Sequence, residues 1–368
     1  MVKGWVTSPD GRHHGALSAE ATRTLGARPD GFLDFSENVN PLGPPAVALA
    51  AGAEALYGEA GCYPDLHYPE LRAALAGYLS VSLETVLPTN GGAEALFLAA
   101  RTAAERPGRK ALVLEPTFSE YAAAARAAGL EVVHVVARQP KTNFRFKIAV
   151  LDEALKNLRD IGLVFLCNPN NPTGDAVPRQ EVLRVAERVR EAGAAFVVDE
   201  AFADFLPHLS VASEVGRDFF VARSFTKFFA VPGLRLGCLV ARDVGRVQAF
   251  QPSWSVNAVA AAVGITAAKE ADFAKTTLAE VELRRRELLR ALGEMPGVTA
   301  YPSVANFLLL QGPEELAKRL AKRGILIRSC EPFSGLGPGF FRIAVRGKEE
   351  NERLIGMLRH VLDLEEAP

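Results

Sequence analysis

The stretch FFVARSFTKFFAVPGLRLGCLVA (219–241) decides the fold class. It holds two apolar runs, FFVARSF (219–225) and LRLGCLVA (234–241). Neither alternates with polar residues as a strand wet on one face would, so both are expected as strands covered on two sides. The polar residues collect just beyond the first strand, as Ser224, Thr226 and Lys227, with Arg235 eight residues further on.

Outward from that stretch the pattern repeats. Strand-like runs VLPTN (86–90), ALVLEP (111–116), EVVHVV (131–136), IGLVFLCNP (161–169) and AAFVVDEA (194–201) are interleaved with helix-like runs. The helical runs lie at 45–57, 91–104, 121–129, 151–159 and 178–192, and 63–79 reads as a turn and then a helix. Such alternation implies an α/β fold with a mostly parallel sheet flanked by helices. Past QPSWSVNA (251–258) the pattern changes to a long helical stretch (258–293). It continues with NFLLLQG (306–312), a helix at 313–323, ILIRSC (325–330), FFRIAVR (340–346) and a last helix, a smaller α+β layer. We therefore expect an arm at 1–45, a large domain at 46–250 and a small domain at 251–368. Trp254 is read as a packing residue at their junction.

Composition narrows the partners. The 368 residues carry 42 Lys+Arg against 43 Asp+Glu, a net charge of −1, with 49% hydrophobic and 23% charged residues. That excludes a disordered chain and argues against a nucleic-acid partner, which needs clustered excess cations. Cys62, Cys167, Cys238 and Cys330 lie far apart, without a Cys-x-x-Cys pair, which argues against a disulfide framework or a structural zinc site. The start, MVKGWVTSPDGRHHG, has no apolar core of a secretory signal, and no run approaches a membrane span of ~20 apolar residues. A cytoplasmic protein without metal or membrane attachment is the expectation.

Ligands of doubly wound sheets sit at the carboxyl ends of strands. There the chain has Asn90-Gly91-Gly92-Ala93-Glu94 opening a helix, CNPNNPTG (167–174), Asp199-Glu200, and Ser224 to Lys227. A Gly-Gly turn at a helix start can hold a phosphate through backbone N–H groups. Each residue alone has an ordinary reading: a plain turn, Asp199 as a helix cap, Lys227 as a surface charge, Arg235 as an ion-pair partner. Their order is what carries information.

That order resembles fold-type I pyridoxal-phosphate enzymes of the aminotransferase superfamily, over nearly the whole chain. The resemblance implies pyridoxal 5′-phosphate as cofactor, with Lys227 as Schiff-base lysine and Asp199 as partner of the pyridinium nitrogen. It implies Asn171 on the ring 3′-oxygen and Phe118 on the ring face. It assigns Gly92, Ala93, Ser224, Thr226 and Arg235 to the phosphate, and Tyr63 to the phosphate of a neighbouring subunit in a homodimer. Arg342 would take the substrate carboxylate. Many relatives carry Tyr three residues after the pyridinium Asp, where this chain has Phe202.

Further stretches resemble the L-threonine O-3-phosphate decarboxylase family, whose product serves the cobalamin side chain. They are His14-Gly15, LDFSENVNPLG (33–43), DEAFADF (199–205), SFTKFFAVPGLRLG (224–237), WSVNA (254–258), ILIRSC and FRIAVR. This resemblance implies that His14, Ser36, Asn38 and Arg328 contact a substrate phosphate. The alternative is a histidinol-phosphate-type aminotransferase using 2-oxoglutarate. A non-catalytic regulatory module is a third reading, against which Lys227 and Asp199 stand intact.

Overall fold

The computed structural model describes residues 32–363. Among them, seven strands form the main sheet: β2 (Val86–Asn90), β3 (Lys110–Glu115), β4 (Glu131–Val136), β5 (Ile161–Cys167), β6 (Ala195–Asp199), β7 (Phe219–Ser224) and β8 (Leu236–Val240). Their order is β2-β8-β7-β6-β5-β3-β4. The run β7-β6-β5-β3-β4 is parallel, whereas β8 is antiparallel to both neighbours. The reversal follows from the link between β7 and β8, which is too short for the helical crossover that a parallel neighbour requires.

Every residue of β5, β6 and β8 is buried, which explains the missing polar alternation. Successive side chains supply two separate cores. Val164, Val198 and Val221 point to one face, and Leu163, Phe165, Val197, Phe220 and Ala222 to the other. Helices flank the sheet, among them α1 (Ala46–Gly58), α2 (Pro69–Leu79), α3 (Gly91–Ala103) and α4 (Glu120–Ala127). The turn and helix expected over 63–79 divide at Pro69, because Tyr68 before it has φ 48° and proline belongs at a first helical position. No helix among the described residues is long and apolar enough to cross a membrane.

A second sheet, antiparallel and four-stranded, is ordered β12-β13-β10-β9. Its strands are β9 (Thr299–Ala300), β10 (Phe307–Gln311), β12 (Arg328–Ser329) and β13 (Phe340–Ala344). ILIRSC, expected as one strand, is split: β11 (Ile325–Leu326) pairs in parallel with β1 (Leu33–Asp34), and only β12 joins the second sheet.

The helical stretch 258–293 also divides, into α8 (Ala258–Ala267) and α9 (Ala271–Gly293). Ala260, Val263 and Ala267 of α8 join the core of the main sheet, so the portion expected to begin the small layer at 251 still packs on the large one. α9 bridges the two, with Val281 in the large core and Leu288 and Leu292 in the small one. The break lets the chain turn from one core to the other.

Residues 35–40 cross between the layers as a strap. Phe35 O accepts from Ala344 N at 2.8 Å, and Asn38 O accepts from Asn306 Nδ2 at 3.0 Å. Asn40 N donates to Lys227 O at 3.0 Å, and its side chain donates to Phe228 O at 2.8 Å.

Candidate active site

The carboxyl ends of β5, β6 and β7 open onto a cavity of about 320 Å³. Of the residues expected at the site, Ser36, Asn38, Phe118, Asn171, Asp199, Thr226, Lys227, Arg328 and Arg342 all line it. Ser36 and Arg342, 306 residues apart, therefore converge on one space.

At its floor Lys227 Nζ donates to Ser224 Oγ at 3.3 Å. Burial pushes the Lys227 amine down from 10.5 to about 8; Asp199 opposes that shift, while Arg235 and Arg342 add to it. An amine in that range is partly neutral near physiological pH and can act as a nucleophile or carry a proton. Burial raises the Asp199 carboxyl, and hydrogen bonds from Tyr121 and the Ala201 N–H pull it back. Those bonds measure 2.8 Å each, to Oδ2 and Oδ1.

Sequence reasoning missed Tyr121. Its ring stacks on Phe165 at 5.2 Å and meets Phe118 edge-on at 5.9 Å. Burial, and then the charge of Asp199, hold its phenol well above the usual range, so it stays a donor. The available signal was a tyrosine in the first turn of a helix that follows a strand end.

Beside the cavity is a cup whose groups could hold an anion. α3 begins at Gly91, whose φ is +75°, and a Cβ there would lie 2.6 Å from Arg235 Nη2. A Cβ on Gly92 would lie 2.9 Å from the Ser224 Cβ. Ser224 and Thr226 hydroxyls are 2.9 Å apart. Backbone N–H groups at a helix start, two hydroxyls and a guanidinium are the groups that hold a phosphate. Gly92, Ser224 and Arg235 meet at this turn rather than in the cavity wall, and Ala93 follows in the first turn of α3.

The opposite end is cationic. Arg328 and Arg342 are register partners across β12 and β13, and both are over 90% buried. Like charges directly opposed in a ladder repel. Arg342 donates to Asn171 Oδ1 at 2.6 Å and to Ser36 O at 2.8 Å, and its Nε is buried without a partner. Burial, with a smaller contribution from Arg328, lowers its guanidinium to about 10. Asn38 has both amide atoms buried and unpartnered at the same cavity. Glu37, which sequence reasoning passed over, lines the wall as well; burial and then Asp34 raise its carboxyl, against Arg346.

One further expected residue, Tyr63, is not brought to the cavity. His14 lies outside the described residues. Tyr63 is 80% exposed and stacks at 4.5 Å on Trp254. Trp254, expected to pack at a junction, is itself nearly half exposed. Phe202 lines the cavity and packs edge-on against Phe307 at 4.9 Å, offering no hydroxyl. Among the described residues no cluster of His, Cys, Asp and Glu could hold a metal ion.

The profile of the family "Aminotransferase class I and II" matches residues 30–358. The chain is 38% identical over 361 residues to the threonine-phosphate decarboxylase of Salmonella typhimurium, covering 95% of this chain and 96% of the relative. Two solved structures share its fold. The histidinol-phosphate aminotransferase from Clostridium acetobutylicum matches with a TM-score of 0.82 at 26% identity, covering 90% of this chain and 99% of the other. The L-threonine-O-3-phosphate decarboxylase from Porphyromonas gingivalis matches with a TM-score of 0.78 at 27% identity and the same coverage.

Proposed function

The chain belongs to the aminotransferase class I and II family of pyridoxal-phosphate-dependent enzymes, and from that premise we propose that it decarboxylates L-threonine O-3-phosphate. The products are 1-amino-2-propanol O-phosphate and carbon dioxide. The observation that carries this reading is the pair Arg328 and Arg342, buried and opposed across one ladder, with the unpartnered amide of Asn38 beside them. A buried guanidinium holds a carboxylate or a phosphate through charge-assisted hydrogen bonds, Arg342 keeps a buried Nε without a partner, and this substrate brings both groups.

The residues present fit the cofactor. Ser224, Thr226, Arg235 and the N–H groups after Gly91 suit its phosphate, Asp199 its ring nitrogen, Lys227 its aldehyde and Asn171 its ring oxygen. Bound there, the cofactor supplies a sink for the electron pair of a broken bond at the substrate Cα. The protein's share is orientation. On this reading Arg342 takes the carboxylate, while Ser36, Asn38 and Arg328 take the phosphate. Anchoring both ends fixes the rotation that chooses which Cα bond breaks. Lys227, with its amine near pH 8, returns a proton to Cα after carbon dioxide leaves.

The second reading, amino transfer from histidinol phosphate to 2-oxoglutarate, is favoured by the likeness to the Clostridium acetobutylicum enzyme. One incubation separates the two. Purified holoenzyme given L-threonine phosphate without a keto acid is expected to release carbon dioxide. Silence there, with glutamate formed from histidinol phosphate and 2-oxoglutarate, selects the second reading.

The proposal includes a homodimer that brings Tyr63 to the partner's cofactor phosphate. It is supported by the exposed apolar side chains Val47, Leu49, Leu56, Tyr57, Leu66 and Trp254 around Tyr63 in sequence or space.

A further inference from the structure

On the face of the main sheet turned away from Asp199 lies a second charged cluster. Strand alternation sends Ser224 toward the cavity side and its neighbour Arg223 to the opposite side, beside Cys238. Arg223 Nη1 donates to Glu200 Oε2 at 2.7 Å, and Nη2 donates to Asp204 Oδ1. All three residues are almost wholly buried. Glu200 also accepts from Ser210 Oγ and Val211 N, both at 2.6 Å, and Asp204 accepts from Tyr78 at 3.0 Å.

The placement is paired. Asp199 and Glu200 end one strand, and Arg223 and Ser224 end the next. Each strand end thus sends one residue to the site and one to the cluster. Buried ion clusters add little net stability over apolar packing of the same volume, whereas a planar guanidinium gripping two carboxylates fixes geometry. This cluster therefore holds position more than it holds the fold together.

We propose that Arg223 is a positioning residue of the active site. By gripping Glu200 and Asp204 it locks the end of β7 to the end of β6 from behind. That lock sets the spacing between Asp199 and the Ser224–Lys227 turn. It also offsets the charge of Glu200 one residue from Asp199. The remaining ionisable groups that face Asp199 are Tyr121 from α4, Cys167 from β5 and Lys227. The inference rests on the cofactor roles given above to Asp199 and Lys227.

The test is binding of pyridoxal 5′-phosphate to apoprotein, followed by visible absorbance between about pH 6 and 9, with the melting temperature of each apoprotein recorded. Arg223→Met is expected to bind roughly tenfold more weakly, as small misplacements in a preorganised site do. Its binding should weaken further as pH falls, because uncompensated Glu200 lets Asp199 take up its proton at a higher pH. Arg223→Lys keeps the charge without the fork, so it should keep the wild-type pH profile with reduced affinity. The triple variant Glu200→Gln/Asp204→Asn/Arg223→Met should likewise recover the profile but not the affinity.

Wild-type affinity in Arg223→Lys overturns the proposal, and so does an Arg223→Met whose affinity and pH profile match wild type. If Arg223→Met does not fold, the other two variants decide. Wild-type apoprotein that binds no cofactor overturns the cofactor reading and this inference together. Binding that Lys227→Ala alters and the Arg223 variants do not overturns this inference alone.

Discussion

Lys227 is held at a cost to stability. Its amine titrates near 8 in the fold against 10.5 when unperturbed, so between those values the unfolded chain carries the extra proton. Stability from this group therefore rises with pH from about 8 to 10.5, and the penalty is complete below 8. Lys227→Met should make the apoprotein more stable at pH 7 by up to roughly 3 kcal/mol, an advantage that fades from about pH 8 and is gone above 10.5. Denaturant unfolding of both apoproteins across that range measures it. Glu37 offers a second residue-scale prediction. Its carboxyl titrates above the usual 4.5, and once ionised it is an anion in a cavity that we read as built for anions. The KM for L-threonine phosphate should rise as pH climbs through that titration. Glu37→Gln should remove the step and lower KM severalfold at higher pH; an increase in KM would show that Glu37 holds the substrate ammonium instead. Of these two residues only Lys227 could be found in the sequence. It follows a strand end by three residues within a recognisable order, while Glu37 matters only because the strap carries it to the cavity.

At the scale of elements, the start of α3 is tightly constrained. Gly91 has a left-handed backbone, and an added Cβ would meet the guanidinium of Arg235. Gly91→Ala should cost about 1–2 kcal/mol in unfolding free energy from backbone strain. It should also weaken cofactor binding by displacing Arg235, which titration of the apoprotein with pyridoxal phosphate checks. Strands β5, β6 and β8 were legible because each is a short apolar run, and burial on two faces leaves that mark without reference to distant residues, whereas the edge strand β4 has no wholly buried residue. The break between α8 and α9 was not legible. An Ala-rich run propagates a helix as well across residues 268–270 as elsewhere, and the turn exists because two different cores lie on either side. The division of ILIRSC has the same origin. Which partner each half of the run meets is a property of β1 and β13, not of the run.

At the scale of the molecule, one chain leaves Tyr63 in solvent against Trp254, and Leu56 and Tyr57 at the end of α1 are exposed as well. Sedimentation should therefore give twice the mass of one chain. Leu56→Asp should shift it toward the single-chain mass and weaken cofactor binding in parallel. A fully loaded, active monomer would refute the shared site. The sequence by itself determined the main sheet, the glycine turn, Asp199 and Lys227. These are local features: burial period, backbone freedom and a residue's distance from a strand end are all written within a few positions. Only the tertiary structure decided that Arg328 faces Arg342, that Arg342 meets Asn171 and Ser36, that Tyr121 meets Asp199, and that Arg223 ties two strand ends together. Those contacts join residues tens to hundreds of positions apart. Strand register and the path of the strap set them, and no local pattern encodes either.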